Sequence, residues 1–153
     1  MILRNLFLAF CILALTTGCS TNNMSHAVTD TTFNVKNTDN VLIIFQNITF
    51  PDTTINELKQ ELDNTFKKHN VTSSSIIYSD LDKEREYVLA KALTTFHADY
   101  ILEIKHYSTS YLQWSLIDAN TKKEVWKSFT SYITDADKIN KAFEKEYFGK
   151  NNH

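Results

Sequence analysis

One long apolar run stands out in the chain, Leu6 to Leu15 (LFLAFCILAL), and the residues after it are polar. Residues 20 to 39 (STNNMSHAVTDTTFNVKNTD) have no apolar period and read as a flexible tether. Val41-Leu42-Ile43-Ile44-Phe45 is then wholly apolar and β-rich, as in strands buried on both faces. Pro51 and Asp52 break that pattern. Thr54-Ile55-Asn56-Glu57 fits a capping box, in which side chains satisfy the free amides of a helix start. Ile55, Leu58, Leu62 and Phe66 recur at helical spacing, and Lys67, Lys68 and His69 suit the dipole of the last turn.

Ser73-Ser74-Ser75 is a polar lead into a second strand ending at Tyr78. Ser79 or Asp80 can cap a second helix carrying Leu81, Val88, Leu89, Ala92, Leu93 and Phe96. Asp99 to Ser108 is a third strand. Tyr111 to Ile117 and Lys123 to Ile133 are a fourth and fifth, joined by the turn-prone Asp118-Ala119-Asn120-Thr121. A last helix, Asp135 to Phe148, places Ile139, Phe143 and Tyr147 on one side, with Gly149 as its stop. The order is β-α-β-α-β-β-β-α. Right-handed crossovers set the second and third strands on opposite sides of the first. The expected fold is α/β (α+β): one mixed five-stranded sheet, order 2-1-3-4-5, with helices in two or three layers, spanning residues 40–150.

The start of the chain has its own logic. Arg4, the apolar run and the small residues Thr16-Thr17-Gly18 before Cys19 form a secretory signal peptide, residues 1–18. A bilayer span needs about 20 apolar residues, more than the run supplies. Gly18-Cys19 resembles the lipobox of bacterial lipoproteins, although Thr16 stands where leucine is usual. The resemblance implies diacylglyceryl transfer to Cys19, cleavage after Gly18 and amine acylation with a fatty acid such as palmitate. Residues 19–39 are then a lipidated tether. Ser20, in place of an aspartate, points by the same analogy to the outer membrane, with the domain in the periplasm.

Removal of residues 1–18 takes Cys11 away and leaves Cys19 as the one cysteine, committed to lipid. Disulfides, thiol nucleophiles and cysteine metal sites are thereby excluded from the mature chain. The formal charge of −2 provides no electrostatic footprint for nucleic acid.

Chemistry is hard to find. The turn after the first strand, Gln46 to Pro51, has no glycine, and phosphate-binding loops need glycine so that backbone amides can approach the phosphates. His26, His69, His97, His106 and His153 show no metal-ligand spacing, and His106 reads as a surface strand histidine. No GxSxG turn is present. Asp80, Asp82, Glu84 and Glu86 crowd one helix start, where acids favour the dipole, and residues two apart on a helix do not face each other. No catalytic residue, metal site or cofactor is expected.

Aromatic content in the last three strands is the remaining signal. Alternation sets Leu112, Trp114 and Leu116 on one face of the fourth strand, with Tyr111, Gln113 and Ser115 on the other. In the fifth, Val125 and Phe129 oppose Trp126, Ser128, Thr130 and Tyr132. Taking the apolar sets as core leaves Tyr111, Gln113, Trp126 and Tyr132 as a partner-binding face of aromatics and polar groups.

The strand VLIIFQNITF, the helix INELKQELDNTFKKHN, the segment Ala98-Asp99-Tyr100-Ile101-Leu102 and SLIDANTKKEVWK together resemble a periplasmic module. It is similar to the amino-terminal domain of TolB, to the curli secretion lipoprotein CsgG and to LpoB, the lipoprotein activator of penicillin-binding proteins. The likeness covers roughly residues 41–148, with His97 where a glycine often precedes Ala-Asp. It implies a membrane-anchored docking module for an envelope or cell-wall protein. The alternatives are a small periplasmic ligand-binding or hydrolytic protein and a structural subunit of a lipoprotein complex.

Overall fold

A computed structural model describes residues 24–29, 40–78, 84–131 and 135–149. Strands β1 (Ser25–Thr29) and β2 (Asn40–Gln46) precede helix α1 (Asp52–Lys68) and strand β3 (Thr72–Tyr78). Helix α2 (Arg85–Phe96), strands β4 (Tyr100–Ser108), β5 (Tyr111–Asp118) and β6 (Glu124–Ser131), and helix α3 (Ala136–Tyr147) complete the described elements. The strands form one mixed sheet in the order β1-β6-β5-β4-β2-β3.

The five expected strands hold the expected order. β2 lies between β3 and β4 and runs parallel to both, and β4, β5 and β6 form an antiparallel meander. The addition is β1. Residues 25–29, expected within a free tether, pair antiparallel with β6 as a sixth strand. Two forces place it there: the outer backbone groups of β6 need partners, and Met24 enters the main core at 8% exposure. The domain therefore includes residues before 40. Gly18 and Cys19 lie outside the described residues.

Helices cover both faces of the sheet, which makes three layers where α2 lies. On one face α1 and α3 close over Val41, Ile43, Phe45, Leu102, Ile104, Leu112, Trp114, Leu116 and Trp126. Between these helices Thr65 Oγ1 donates to Asn140 Oδ1 at 3.1 Å, and Glu144 accepts from Lys68 Nζ at 2.7 Å. On the other face α2 brings Leu89, Ala92, Leu93 and Phe96 onto Leu42, Ile44 and Ile101. β2 is buried on both faces, as its unbroken apolar run requires.

The helix ends depart from the sequence in instructive ways. α1 starts at Asp52, with Pro51 as its N-cap and no side-chain cap, so Thr54 is buried in the first turn and no capping box forms. The caps expected at Ser79 or Asp80 lie outside the described residues. Asp135 caps α3 as its position suggests, accepting from the Lys138 amide at 3.1 Å. Gly149 comes after α3 without a left-handed conformation.

His97 ends α2 at φ 51 and ψ 51, in the left-handed region. Glycine adopts that geometry without a Cβ clash. His97→Gly is expected to raise stability by about 0.5–1 kcal/mol, the relief of strain exceeding the added unfolded-state entropy. A denaturant midpoint measured with an unchanged m-value checks it; a lower midpoint would show that the exposed imidazole contributes more than its backbone strain costs.

Candidate functional site

Among the described residues, α2 covers its face of the sheet over β2, β3, the start of β4 and, through Ile117, the end of β5. Beyond that the side chains of β4, β5 and β6 stand in cross-strand rows. Glu103, Ser115 and Lys127 form one row, Lys105, Gln113 and Phe129 the next, and Tyr111 pairs with Ser131 beyond them.

The rows are laced by local polar contacts. Lys105 Nζ donates to Glu103 Oε2 at 2.9 Å, and Gln113 Nε2 donates to Ser115 Oγ at 2.9 Å. Lys127 pairs with Glu124 at 2.6 Å. Ser115 itself is only 2% exposed. At the β4–β5 hairpin end the face turns aromatic. Tyr107 is 65% exposed and meets Phe129 edge-on at 5.0 Å, and Tyr111 is 45% exposed. Aromatic rings beside polar side chains are a combination common at protein interfaces, where rings supply area and the polar rim supplies orientation.

Two of the four expected docking residues, Tyr111 and Gln113, belong to this face. Tyr132 lies outside the described residues. Trp126 does not belong, a correction to the facing expected for β6. It is 4% exposed and packs edge-on against Phe143 at 6.3 Å and Tyr147 at 5.2 Å. Register is the cause. Trp126 pairs with Leu116, Ser128 with Trp114 and Thr130 with Leu112, and directly paired residues share a face. Ser128 and Thr130 are therefore core residues. The small Ser128 leaves room beside the Trp114 indole, and Thr130 Oγ1 accepts from Trp114 Nε1 at 2.9 Å. Phe129, expected in the core, sits on the other side, whereas Val125, beside a register irregularity, is partly buried and packs against the main core as expected.

Tyr107 and Phe129 are the residues that alternation missed. Extending the outward set Glu103-Lys105 along β4 finds Tyr107, and Phe129 emerges once β6 is registered against β5.

Perturbed titrating groups among the described residues all have structural causes. The Thr121 amide, at 2.7 Å, and then the Asn120 amide hold the Asp118 carboxyl below the usual range. The Lys138 amide does the same for Asp135. Lys68, then His69, lower Glu144, and His69 also stacks on Phe148 at 3.8 Å. Burial raises the Tyr100 phenol, with Asp118 and Asp99 adding to it. His106 departs from the surface position expected for it. Its ring lies edge-on to Phe50 at 6.1 Å with Nδ1 3.3 Å from Thr49 Oγ1, and burial pushes its pKa down. No group of three or more metal-ligating side chains occurs among the described residues.

The open groove between the end of α2 and the β5–β6 turn, about 370 Å³, is lined by His97, Asp99, Asn120 and Lys122. Its polar groups are engaged within the fold: Asp99 Oδ2 accepts from the Asn40 amide at the start of β2 at 3.2 Å, and Lys122 Nζ donates to the Ala119 carbonyl within the β5–β6 turn. Among the described residues no helix is long and apolar enough to cross a membrane.

No family model matches the chain, and neither does any curated relative. Among solved structures the chain is similar to the PelC dodecamer from Paraburkholderia phytofirmans, with 11% identity and a TM-score of 0.50 over 83% of this chain and 95% of that one. A single-substitution variant of the same PelC gives 14% identity and a TM-score of 0.48 over 80% and 96%. At such identity the PelC likeness is one of fold and carries no chemistry across.

Proposed function

We propose that this chain is a lipid-anchored, non-enzymatic docking module of the bacterial envelope, held at the outer membrane through Cys19 and facing the periplasm. Its binding face is the half of the sheet that no described helix covers, centred on Tyr107, Tyr111, Gln113 and Phe129. The observation that carries the reading is the aromatic corner itself: exposed rings on a rigid antiparallel meander, beside a polar lattice whose members already satisfy one another. Such rings bury large area at small entropic cost, and a few aromatics dominate most interfaces. The lipobox-like Gly18-Cys19 supports the anchoring half of the proposal.

A photo-crosslinking residue at position 111 in the full-length protein, in cells, is expected to give one discrete adduct. The same probe at Lys91, on the exposed side of α2, should give none. Tyr107→Ala should weaken that adduct about thirtyfold if the ring is a dominant anchor of about 2 kcal/mol, with no more than about 1 kcal/mol lost from stability. Equal adducts from positions 111 and 91, or insensitivity to Tyr107→Ala, would remove this face from the proposal.

A further inference from the structure

β3 is one end of the sheet, and among the described residues no strand lies beside its outer backbone row. Natural edge strands are guarded by lysine, proline, bulges or brevity. β3 has none of these guards. It is Thr72-Ser-Ser-Ser-Ile-Ile-Tyr78, seven residues in unbroken register with β2, and it leaves Ile77 50% exposed. The opposite end, β1, is shorter and its register is irregular.

We propose that β3 pairs with β3 of a second copy of this chain across a two-fold axis at Ser75, joining two sheets edge to edge. Two independent patterns select this occupant. The first is shape. Antiparallel pairing centred on Ser75 sets Ser73 opposite the partner's Ile77 and Ser74 opposite the partner's Ile76, so on either side of the small Ser75 pair a small side chain meets a large one.

The second pattern is charge. Asp52, Lys59, Asp63 and Lys67 share one stripe of α1, and Asp63 accepts from Ser73 Oγ at 2.9 Å, so this stripe flanks the open edge. The other flank of α1 is occupied by α3 through Thr65–Asn140 and Lys68–Glu144. Along the helix the stripe runs negative, positive, negative, positive. A two-fold reverses the partner's order, bringing Asp52 opposite the partner's Lys67 and Lys59 opposite the partner's Asp63. Four helical residues rise about as far as two strand residues, so the centre of this charge pattern falls within about one strand residue of the Ser75 axis. An interface of this kind is isologous and closes as a dimer. It lies at the far side of the sheet from the aromatic corner and is independent of the docking reading.

The pairing makes a sharp disulfide pattern. In the full chain carrying Ser73→Cys and Ile77→Cys together, mild oxidation should give a covalent dimer on a non-reducing gel. Either single variant should show no more dimer than the parent chain, whose Cys11 and Cys19 set the background. Like positions across the axis are about 13 Å apart, beyond the roughly 7 Å Cα limit of a disulfide, and the same distance prevents a link within one chain. Independently, Lys67→Asp should weaken dimerisation of the full chain about tenfold by sedimentation in density-matched detergent, with Asp52→Lys in the same chain restoring it. Absence of dimer in the double-cysteine variant, equal dimer in a single variant, or a dimer indifferent to the charge exchange would overturn the proposal.

Discussion

Trp126→Ala is expected to cost about 3–5 kcal/mol, the usual loss for a large aromatic removed from a core. The indole is closed in by α3: Phe143 and Tyr147 present their rings to it, and Phe143 stacks on Trp114 at 5.1 Å and on Tyr147 at 5.0 Å. These neighbours are themselves fixed between sheet and helix, so they cannot collapse into the space, and the cavity adds to the lost transfer energy. A domain of this size has a total stability of about 5–15 kcal/mol, so the variant should melt roughly 10–25 °C lower or fail to accumulate. A loss below about 1 kcal/mol would return Trp126 to the surface and overturn the β6 register. Phe129→Ala, on the opposite side of the same strand, is the natural control and should cost clearly less.

That contrast shows where sequence reasoning reaches its limit. The β-α-β start, the crossovers and the meander are legible because each apolar period has its own length and the connections leave few topologies. Leu112, Trp114 and Leu116 are legible as core for the same reason. β6 is not. Its inward set contains Ser128 and Thr130, hydroxyl residues that serve the Trp114 indole by size and by a hydrogen bond, and a pattern scored on polarity places such residues outside. The face of β6 is set by pairing with β5, a non-local property that alternation within one strand does not contain. β1 escapes for a related reason. Five residues of SHAVT carry little apolar period, and they form a strand because β6 offers an edge and Met24 finds the core. Of the proposed docking face, Tyr111 and Gln113 are legible from strand alternation, whereas Tyr107 and Phe129 need the neighbouring strands.

Location is the other property that decides what the aromatic corner can meet, and in the proposed function it rests on Cys19. Cys19→Ser in the full-length protein is expected to abolish incorporation of a palmitate analogue and to release the protein from the membrane fraction. The physical reason is the additivity of lipid burial. Each buried CH₂ contributes about 0.8 kcal/mol, so one chain binds only marginally and two or three hold a protein stably. No other cysteine would remain after residue 18 to take their place. The domain itself should be untouched, since it holds no cysteine and its core closes without one. Its melting temperature in Cys19→Ser should therefore match that of the parent chain and ignore reducing agent. Gly18→Leu gives a second reading of the same site: it should block processing and leave a precursor heavier by the signal segment. Labelling that persists in Cys19→Ser, or membrane association that survives without label, would place the anchor elsewhere in the chain and leave the aromatic corner to be judged without an envelope partner.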